Sequence, residues 1–256
     1  MKVTILGSGS AYGTPMAFNN WGGIINKENP KNQRTRASVL LETEGKTFLF
    51  DMGPDFRQQM NQNNVQTLDS IFITHPHYDH IGGLGDLWRA AHLLKKILFV
   101  NCSKKTLDVI KKNNAYMFDH SYEDGSNHVF WSTIKQYQSF ITHDVSFLPF
   151  PAKHKEMTST GFRHRGFAYL TDWEELNLKS RSLLKNLDFL VLECNNGTQK
   201  LQNGHSNLNL CLELIAEVKP KRTVLTHISA RVDHDELSSM LPDDVEVGYD
   251  GMVIEF

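Results

Sequence analysis

One short histidine-rich segment holds most of the side chains in this sequence that could carry out chemistry. Residues 75–80 read HPHYDH, so His75, His77, Asp79 and His80 lie within six positions, after an apolar run and before two glycines. Imidazole and carboxylate groups that turn into a protein interior are costly unless they are paired or bind a metal. Side chains that leave a strand point to alternate sides. The pattern therefore predicts that His75 and His77 serve one ion, while Asp79 and His80 serve a second; the alternative is a solvated histidine-rich loop.

The elements that must position this segment are short strands with helices between some of them. Apolar runs typical of strands cover residues 3–6, 38–41, 48–50, 70–73, 97–100, 145–150, 167–170, 189–192, 223–225 and 253–254. Helical periodicity predicts helices over residues 84–95, 104–113, 174–185 and 207–218. Strands are dense in the first third and helices enter later. This order indicates an α+β or layered α/β protein.

Length and composition set limits on the class of protein. A chain of 256 residues with ordinary apolar content is expected to form one domain over residues 1–256, and it needs no metal merely to fold. Three cysteines without a CxxC pair predict reduced thiols and a cytoplasmic location. The uncharged segment 3–26 is too rich in glycine and polar residues to span a membrane, so no membrane partner is expected.

Charge bears on the partners of the protein. The chain has 27 basic and 29 acidic residues, a formal net charge of −2. This balance lacks the basic surplus with which proteins hold nucleic acid through its phosphates. A small-molecule substrate is therefore favoured over a nucleic acid. The sequence leaves a homodimer open.

The HPHYDH segment resembles the signature of the metallo-β-lactamase fold, a four-layer αββα sandwich of the α/β class with metals at one edge of two packed sheets. Other positions typical of that family occur in the expected order along the chain: Asp51 before this segment, and His154, Asp172 and His227 after it. The resemblance implies that one ion binds His75, His77 and His154. It implies that the other binds Asp79, His80 and His227, with Asp172 shared between the ions.

The same resemblance implies two divalent metal ions, about 3.5–4 Å apart as in two-metal hydrolytic sites. Their identity stays open because nitrogen and carboxylate ligands suit Zn²⁺, Mn²⁺ and Fe²⁺ alike. Asp51 is expected to orient a ligating histidine rather than bind metal itself. Two of the ligands have simpler interpretations: His154 as an exposed histidine between two lysines, and Asp172 as the N-cap of a helix over 174–185.

Three C-terminal segments look like the PhnP branch of this fold, whose members open 5-phosphoribosyl 1,2-cyclic phosphate and are related to the tRNA 3′-processing nuclease tRNase Z. They read GHSNLN at 204–209, THIS at 226–229 and EVGYDGM at 246–252. Phosphodiester hydrolysis needs an activated water and a proton for the departing alkoxide. His205 is predicted to supply that proton as a catalytic acid with Glu193 orienting it; the alternative is a solvated loop histidine. Asp79 is assigned to catalysis as well as to metal binding.

The sequence also departs from PhnP enzymes, which carry a structural zinc on early cysteines and on a histidine three residues after the last metal-binding histidine. Here residues 16–23 contain no cysteine, and Ala230 stands at the histidine position. We therefore expect no structural zinc, and a loop over residues 19–36 that packing holds in place, with Trp21 taking part. Arg34 and Arg36 in that loop are candidates to bind a substrate phosphate, although a solvated basic loop is the alternative.

The predicted function is that of a dinuclear metal-dependent phosphodiesterase that hydrolyses a small cyclic or nucleotide-like phosphodiester. A tRNase Z-like RNA endonuclease is the main alternative, which the charge balance and the lack of an obvious RNA-binding arm disfavour. A non-catalytic module is less consistent with a full ligand set. A thioesterase, lactonase or β-lactamase has less need of His205.

Overall fold

The computed structural model describes residues 1–23, 26–118, 128–200 and 204–256. The strands of these residues are β1 Lys2–Gly7, β2 Ser38–Thr43, β3 Lys46–Phe50, β4 Ser70–Phe72, β5 Leu98–Ser103, β6 Val129–Ile134, β7 Phe140–Thr142, β8 Val145–His154, β9 Met157–His164, β10 Phe167–Leu170, β11 Phe189–Glu193, β12 Thr223–Thr226, β13 Val245–Val247 and β14 Met252–Glu255. The α-helices are α1 Phe56–Gln62, α2 Tyr78–Ile81, α3 Leu87–Leu94, α4 Lys104–Asn113, α5 Leu178–Ser182, α6 Leu208–Val218 and α7 His234–Ser238. Short 3₁₀ turns cover Ala17–Asn19, Pro30–Asn32, Gly82–Asp86 and Ala115–Phe118.

The strands of the described residues form two sheets. The first has the order β14-β1-β2-β3-β4-β5-β6 and the second the order β13-β12-β11-β10-β9-β8-β7. Strands β3 to β6 are parallel, and so are β10 to β13. Strand β8 runs in the same direction as β10 because both are antiparallel to β9. In each sheet, the carboxyl ends of these strands therefore lie at one edge.

An aromatic core fills the space between the two sheets. Phe48, Phe72 and Phe147 are fully or almost fully buried there, and the ring centroids of Phe72 and Phe147 are 4.6 Å apart. Along β3 the side chains alternate: Phe48 and Phe50 face the other sheet, while Leu49 packs in the cluster beneath the helices. Because neighbouring strand residues point to opposite faces, one strand contributes to both layers of packing.

Helices cover both outer faces of the sandwich. Apolar residues of α1, α3 and α4 pack on the first sheet, and those of α6 and α7 pack on the second. The four-layer αββα arrangement predicted from the resemblance is confirmed. Among the described residues, no helix has both the length and the apolar character needed to cross a membrane.

The predicted strands all overlap observed strands, whereas several helices differ from the prediction. The helix predicted over 174–185 is reduced to α5, because Lys153 pairs with Glu175 and this keeps the chain extended before Asn177 caps the helix. The pattern over 84–95 divides into a 3₁₀ turn and α3. Strands β6, β7, β9 and β13 and helices α1, α2 and α7 were missed. All of them except β6 are short or rich in polar residues, and tertiary packing stabilises them.

Candidate metal centre and active site

The predicted ligands all lie at one edge of the sandwich, where strands end. His75 follows β4, His154 ends β8, Asp172 follows β10 and His227 follows β12. The HPHYDH segment leaves β4 and enters the short helix α2, which begins after His77. Since the strands of each sheet run in the same direction here, residues far apart in sequence meet at this edge.

Three histidines bring their ring nitrogens together on one side of the centre. His75 Nε2 lies 2.9 Å from His77 Nδ1, and His154 Nε2 lies 3.3 Å from the same nitrogen. His154 Nδ1 is 2.8 Å from the carbonyl oxygen of Gly204, which can only accept, so Nδ1 carries the proton and Nε2 offers a lone pair. Donors around a tetrahedral zinc ion are about 3.3 Å apart. The spacing of this group fits one metal ion.

A second group lies beside the first. His80 Nε2 is 3.2 Å from Asp79 Oδ2, and His227 Nε2 is 3.4 Å from the same oxygen. His80 Nδ1 donates to Asp51 Oδ2 at 2.8 Å, so Asp51 orients this histidine as expected. His80 Nε2 is buried between carboxylate oxygens of Asp79 and Asp172, at 3.2 and 3.1 Å, but in neither case with the geometry of a hydrogen bond. A buried nitrogen left in this way against carboxylates fits a metal ion, which would take its lone pair.

Asp172 lies between the two groups. Its Oδ1 is 3.8 Å from His154 Nε2 and 4.0 Å from His75 Nε2. Its Oδ2 is 3.1 Å from His80 Nε2 and 3.4 Å from His227 Nε2. One carboxylate oxygen therefore faces each group, as a shared ligand requires. The interpretation of Asp172 as a helix N-cap is wrong, because Asn177 caps α5.

The pKa values show where this cluster needs positive charge. Burial opposes the charged form of His80, but the surrounding carboxylates raise its pKa well above the ordinary value. Burial acts in the same way on His227, and Asp172 with other carboxylates raises its pKa to about 9. Burial and neighbouring histidines lower the pKa of His75 well below the ordinary value. The cluster thus combines neutral imidazole donors with carboxylates that require a cation, which is the charge pattern of a metal site.

Three residues of the centre have left-handed backbone conformations. The φ angles of Asp51, Asp172 and His227 are 62°, 52° and 56°. Residues other than glycine seldom adopt this region, and holding one there costs about 1–3 kcal/mol. Such conformations persist only where the surrounding structure over-determines them. The packing of the sandwich edge therefore places these side chains against the local preference of the chain.

His205 and Glu193 form a pair at the rim of the centre. His205 Nδ1 donates to Glu193 Oε1 at 2.6 Å, and Glu193 Oε2 accepts the backbone N–H of Trp173 at 2.9 Å. His205 Nδ1 also lies 3.5 Å from Asp172 Oδ1, and its ring centroid is 4.8 Å from that of His154. Glu193 is fully buried, while the His205 side chain keeps 14% exposure. The structure thus brings this pair together beside both groups of ligands.

Sequence reasoning missed several groups that orient the ligands. Thr74 Oγ1 is 3.0 Å from His75 Nδ1, the Asn195 amide is 3.0 Å from His227 Nδ1, and Tyr169 Oη donates to Asp51 Oδ2 at 3.2 Å. Thr74 directly precedes HPHYDH, and that position was an available signal. Tyr169 and Asn195 carry no such signal, because their partners are distant in sequence.

The prediction that Arg34 and Arg36 bind a substrate phosphate is not supported. Arg34 is only 2% exposed, and its guanidinium donates to the carbonyl oxygen of Val232 and to Asn32 Oδ1. Arg36 pairs with Asp55 at 3.0 Å. The alternative of a solvated basic loop is wrong for Arg34 as well.

Packing holds the early loop as predicted, but it acts at Gly22 and not through a buried Trp21. Trp21 Nε1 donates to Asn19 Oδ1 at the surface, so its indole is not a buried anchor. Close packing occurs instead at Gly22, where a Cβ would lie 2.8 Å from the Cβ of Ala230. Hydrogen bonds from Arg34 and Asn32 attach the end of the loop.

The absence of a structural zinc in this loop stays a prediction. A closed zinc site needs four good ligands, and residues 19–36 contain no cysteine or histidine. Crystals of zinc-loaded protein should give anomalous peaks at the centre described above and none within the loop. A zinc peak bound by loop residues would contradict this prediction.

A family profile described as the Beta-lactamase superfamily domain matches residues 46–228, most of the chain. The chain belongs to the beta-lactamase superfamily. This superfamily member resembles the crystal structure of a diphosphatase from the PhnP family, with 29% identity and a TM-score of 0.88 over 100% of this chain and 97% of that one. The predicted resemblance to the PhnP branch is therefore confirmed as a structural similarity to one of its members.

Two curated proteins are also similar in sequence to this superfamily member. A ribonuclease Z of Staphylococcus haemolyticus is 24% identical, over 81% of this chain and 87% of that protein. An octanoyltransferase of Porphyromonas gingivalis is 29% identical over 98% of this chain, which spans only about half (51%) of that longer protein. The names of the diphosphatase and the ribonuclease are those of hydrolytic enzymes, which agrees with the prediction of a metallo-β-lactamase-fold hydrolase.

Proposed function

We propose that this protein is a dinuclear metal-dependent phosphodiesterase that hydrolyses a small cyclic or nucleotide-like phosphodiester. The observation that carries the proposal is the hydrogen-bonded pair of Glu193 and His205 beside Asp172. In this pair, His205 is a proton donor in addition to the proposed set of metal ligands. Cleavage at phosphorus expels an alkoxide that needs this proton, whereas cleavage at carbon has less need of it. Similarity to the PhnP-family diphosphatase supports chemistry at phosphorus.

Two groups of side chains would hold the metal ions. Bound divalent ions supply an activated water and stabilise negative charge on the phosphoryl oxygens. The ligands proposed for them are His75, His77 and His154 for one ion, Asp79, His80 and His227 for the other, and Asp172 for both.

His205 carries out the proton transfer in this proposal. Its Nδ1 is engaged with Glu193, so Nε2 is the nitrogen that can hold a proton for the leaving oxygen. The buried Glu193 carboxylate fixes the orientation of the imidazole ring, as carboxylates do in other acid–base pairs. Glu193 is itself held by Trp173 N–H and by Ser206 Oγ. After the phosphorus–oxygen bond breaks, the partly exposed His205 regains its proton from water.

A tRNase Z-like RNA endonuclease is the second candidate. The similarity to ribonuclease Z favours it, and that reaction would use the same ligands and the same acid. The charge balance of 27 basic to 29 acidic residues is less suited to holding a large polyanion. The dependence of activity on salt separates the two candidates.

For the proposed phosphodiesterase, kcat/KM on a small cyclic nucleotide should fall only weakly between 50 and 200 mM salt. One bound phosphate gives a log–log slope no steeper than about −1, whereas an RNA held through six phosphates gives about −4. The same preparation should leave a precursor tRNA uncut. Cleavage of that tRNA with a steep salt slope, together with no activity on small phosphodiesters, would instead establish the endonuclease.

A further inference from the structure

The Arg34 guanidinium contacts the segment that directly follows His227. Its Nη1 donates to the carbonyl oxygen of Val232 at 2.9 Å and to that of Ser229 at 3.3 Å. Its Nη2 donates to Asn32 Oδ1 at 3.0 Å. We propose that Arg34 is a positioning residue, which holds the turn after His227 and thereby keeps this imidazole aimed at the metal centre. The inference rests on the ligand set of the proposed function.

His227 needs such support because its backbone is strained. With a φ of 56°, it stays in place only if the residues around it are fixed. Ile228 N donates to Ser8 O at 2.8 Å, and Ser229 N donates to Asn195 O at 3.2 Å. These bonds hold the strand side of the segment. Arg34 supplies contacts further along the segment, at the carbonyl oxygens of Ser229 and Val232.

The turn that Arg34 binds is a compact one. Val232 N donates to Ser229 O at 3.1 Å, so the two carbonyl groups that accept from Arg34 Nη1 stand at the two ends of one turn. One guanidinium nitrogen therefore links both ends. Loss of these bonds would leave the turn closed by a single backbone hydrogen bond.

Arg34 can act as a support because it is itself anchored. Arg34 and Thr14 exchange two backbone hydrogen bonds of 2.7 Å each. Asn32 Nδ2 donates to Asp233 Oδ2 at 2.7 Å, and Asn32 Oδ1 accepts from His234 N at 2.8 Å. Residues 32–34 thus attach to both the turn and the start of α7.

The chemistry of these contacts requires arginine. Burial lowers the pKa of Arg34 to about 10, and Asp250 and Asp233 partly offset that effect, so the group stays charged at neutral pH. The planar guanidinium donates in two directions, toward the turn through Nη1 and toward Asn32 through Nη2. A lysine ammonium is a compact point charge and cannot reproduce this fork.

The test compares Arg34→Met and Arg34→Lys with the matched control Arg163→Met. Arg163 also donates to backbone carbonyl groups, those of Lys185 and Arg165, but these segments contain no proposed ligand. Zn²⁺ dissociation constants are measured by competition with a chromogenic chelator. Hydrogen exchange of the amides of residues 228–232 is measured by mass spectrometry on metal-free protein.

Arg34→Met should weaken one of the two Zn²⁺ ions, the one that His227 is proposed to bind, by about 10–100-fold, the usual effect of losing a group that orients a ligand. In Arg34→Met, the amides of residues 228–232 should exchange faster than in the wild type. In both measurements, Arg34→Lys should give values between those of the wild type and Arg34→Met, and Arg163→Met should match the wild type. Unchanged Zn²⁺ binding and exchange in Arg34→Lys and in folded Arg34→Met would overturn the proposal. Equal losses in Arg163→Met would also overturn it, because they would indicate a general loss of stability.

The outcome is independent of phosphodiester cleavage. If the wild type binds Zn²⁺ but cleaves no phosphodiester, the proposed function fails, while the Arg34 comparison still supports or overturns the positioning role. If Arg34→Met does not fold, the comparison is made with Arg34→Lys, which keeps the charge.

Discussion

Asp172→Ala should weaken the binding of both metal ions and reduce hydrolysis more than any other single substitution at the centre. Its two carboxylate oxygens face different groups of ligands, so the loss affects both ions at once. The fall in kcat/KM should exceed the 10–100-fold that follows loss of a group supporting a ligand. Elemental analysis of protein purified with added metal should approach two ions per chain for the wild type and fall well below this for the variant.

Two further variants make this experiment specific. His77→Ala removes a ligand from one group only, so it should affect mainly one ion. Asp108→Ala removes an exposed carboxylate that pairs with Lys104, and it should retain the full metal content. A full metal complement in both Asp172→Ala and His77→Ala would show that the ligand assignment is wrong.

His205→Ala should slow hydrolysis of an alkyl phosphodiester by about 10²–10⁴-fold, the usual contribution of general acid catalysis. An activated aryl phosphodiester should lose much less, because an aryl oxide leaves without needing a proton. Metal content should stay at the wild-type level if His205 acts only as the acid; it should fall if His205 binds metal, since His205 and Glu193 also lie close enough to Asp172 and His227 to share one ion with them. Steady-state kinetics on both substrates, with elemental analysis of the same preparation, checks the prediction.

Glu193→Gln provides the companion measurement. It keeps the shape of the side chain that contacts His205 Nδ1 but removes the negative charge. We expect a smaller loss with the same dependence on the leaving group. Equal losses on alkyl and aryl substrates in His205→Ala, or loss of metal, would contradict the acid role and indicate that His205 positions other groups.

Much of the fold was predictable because the signals that encode it are local. Apolar runs such as 48–50 and 189–192 predict strands, and these became β3 and β11. Strand β9 was missed because its sequence reads MTSTGFRH, and pairing with β8 rather than apolar character places it in the sheet. The helix predicted over 174–185 failed for a similar reason, since the Lys153–Glu175 pairing is a tertiary contact.

The sequence by itself determined the kind of chemistry. HPHYDH places four ligand-type side chains in six positions, and no fold is needed to conclude that metal binding is the economical explanation. The resemblance then supplied the remaining ligands, and the structure brings them within reach of one another. The sequence also suggested the pair of Glu193 and His205, which are twelve residues apart. In the structure, His205 Nδ1 lies 2.6 Å from Glu193 Oε1.

Tertiary structure alone decided how these side chains are held. Arg34 looked like a residue of a polar surface loop, yet it is buried against Val232, 198 positions away. Asp51, Asp172 and His227 have left-handed backbones that no local pattern predicts. Local sequence encodes alternation, periodicity and turn preference, whereas the environment of a side chain depends on which distant segments pack beside it. The residues that hold the metal ligands in place are therefore determined by how the two sheets and their loops pack together.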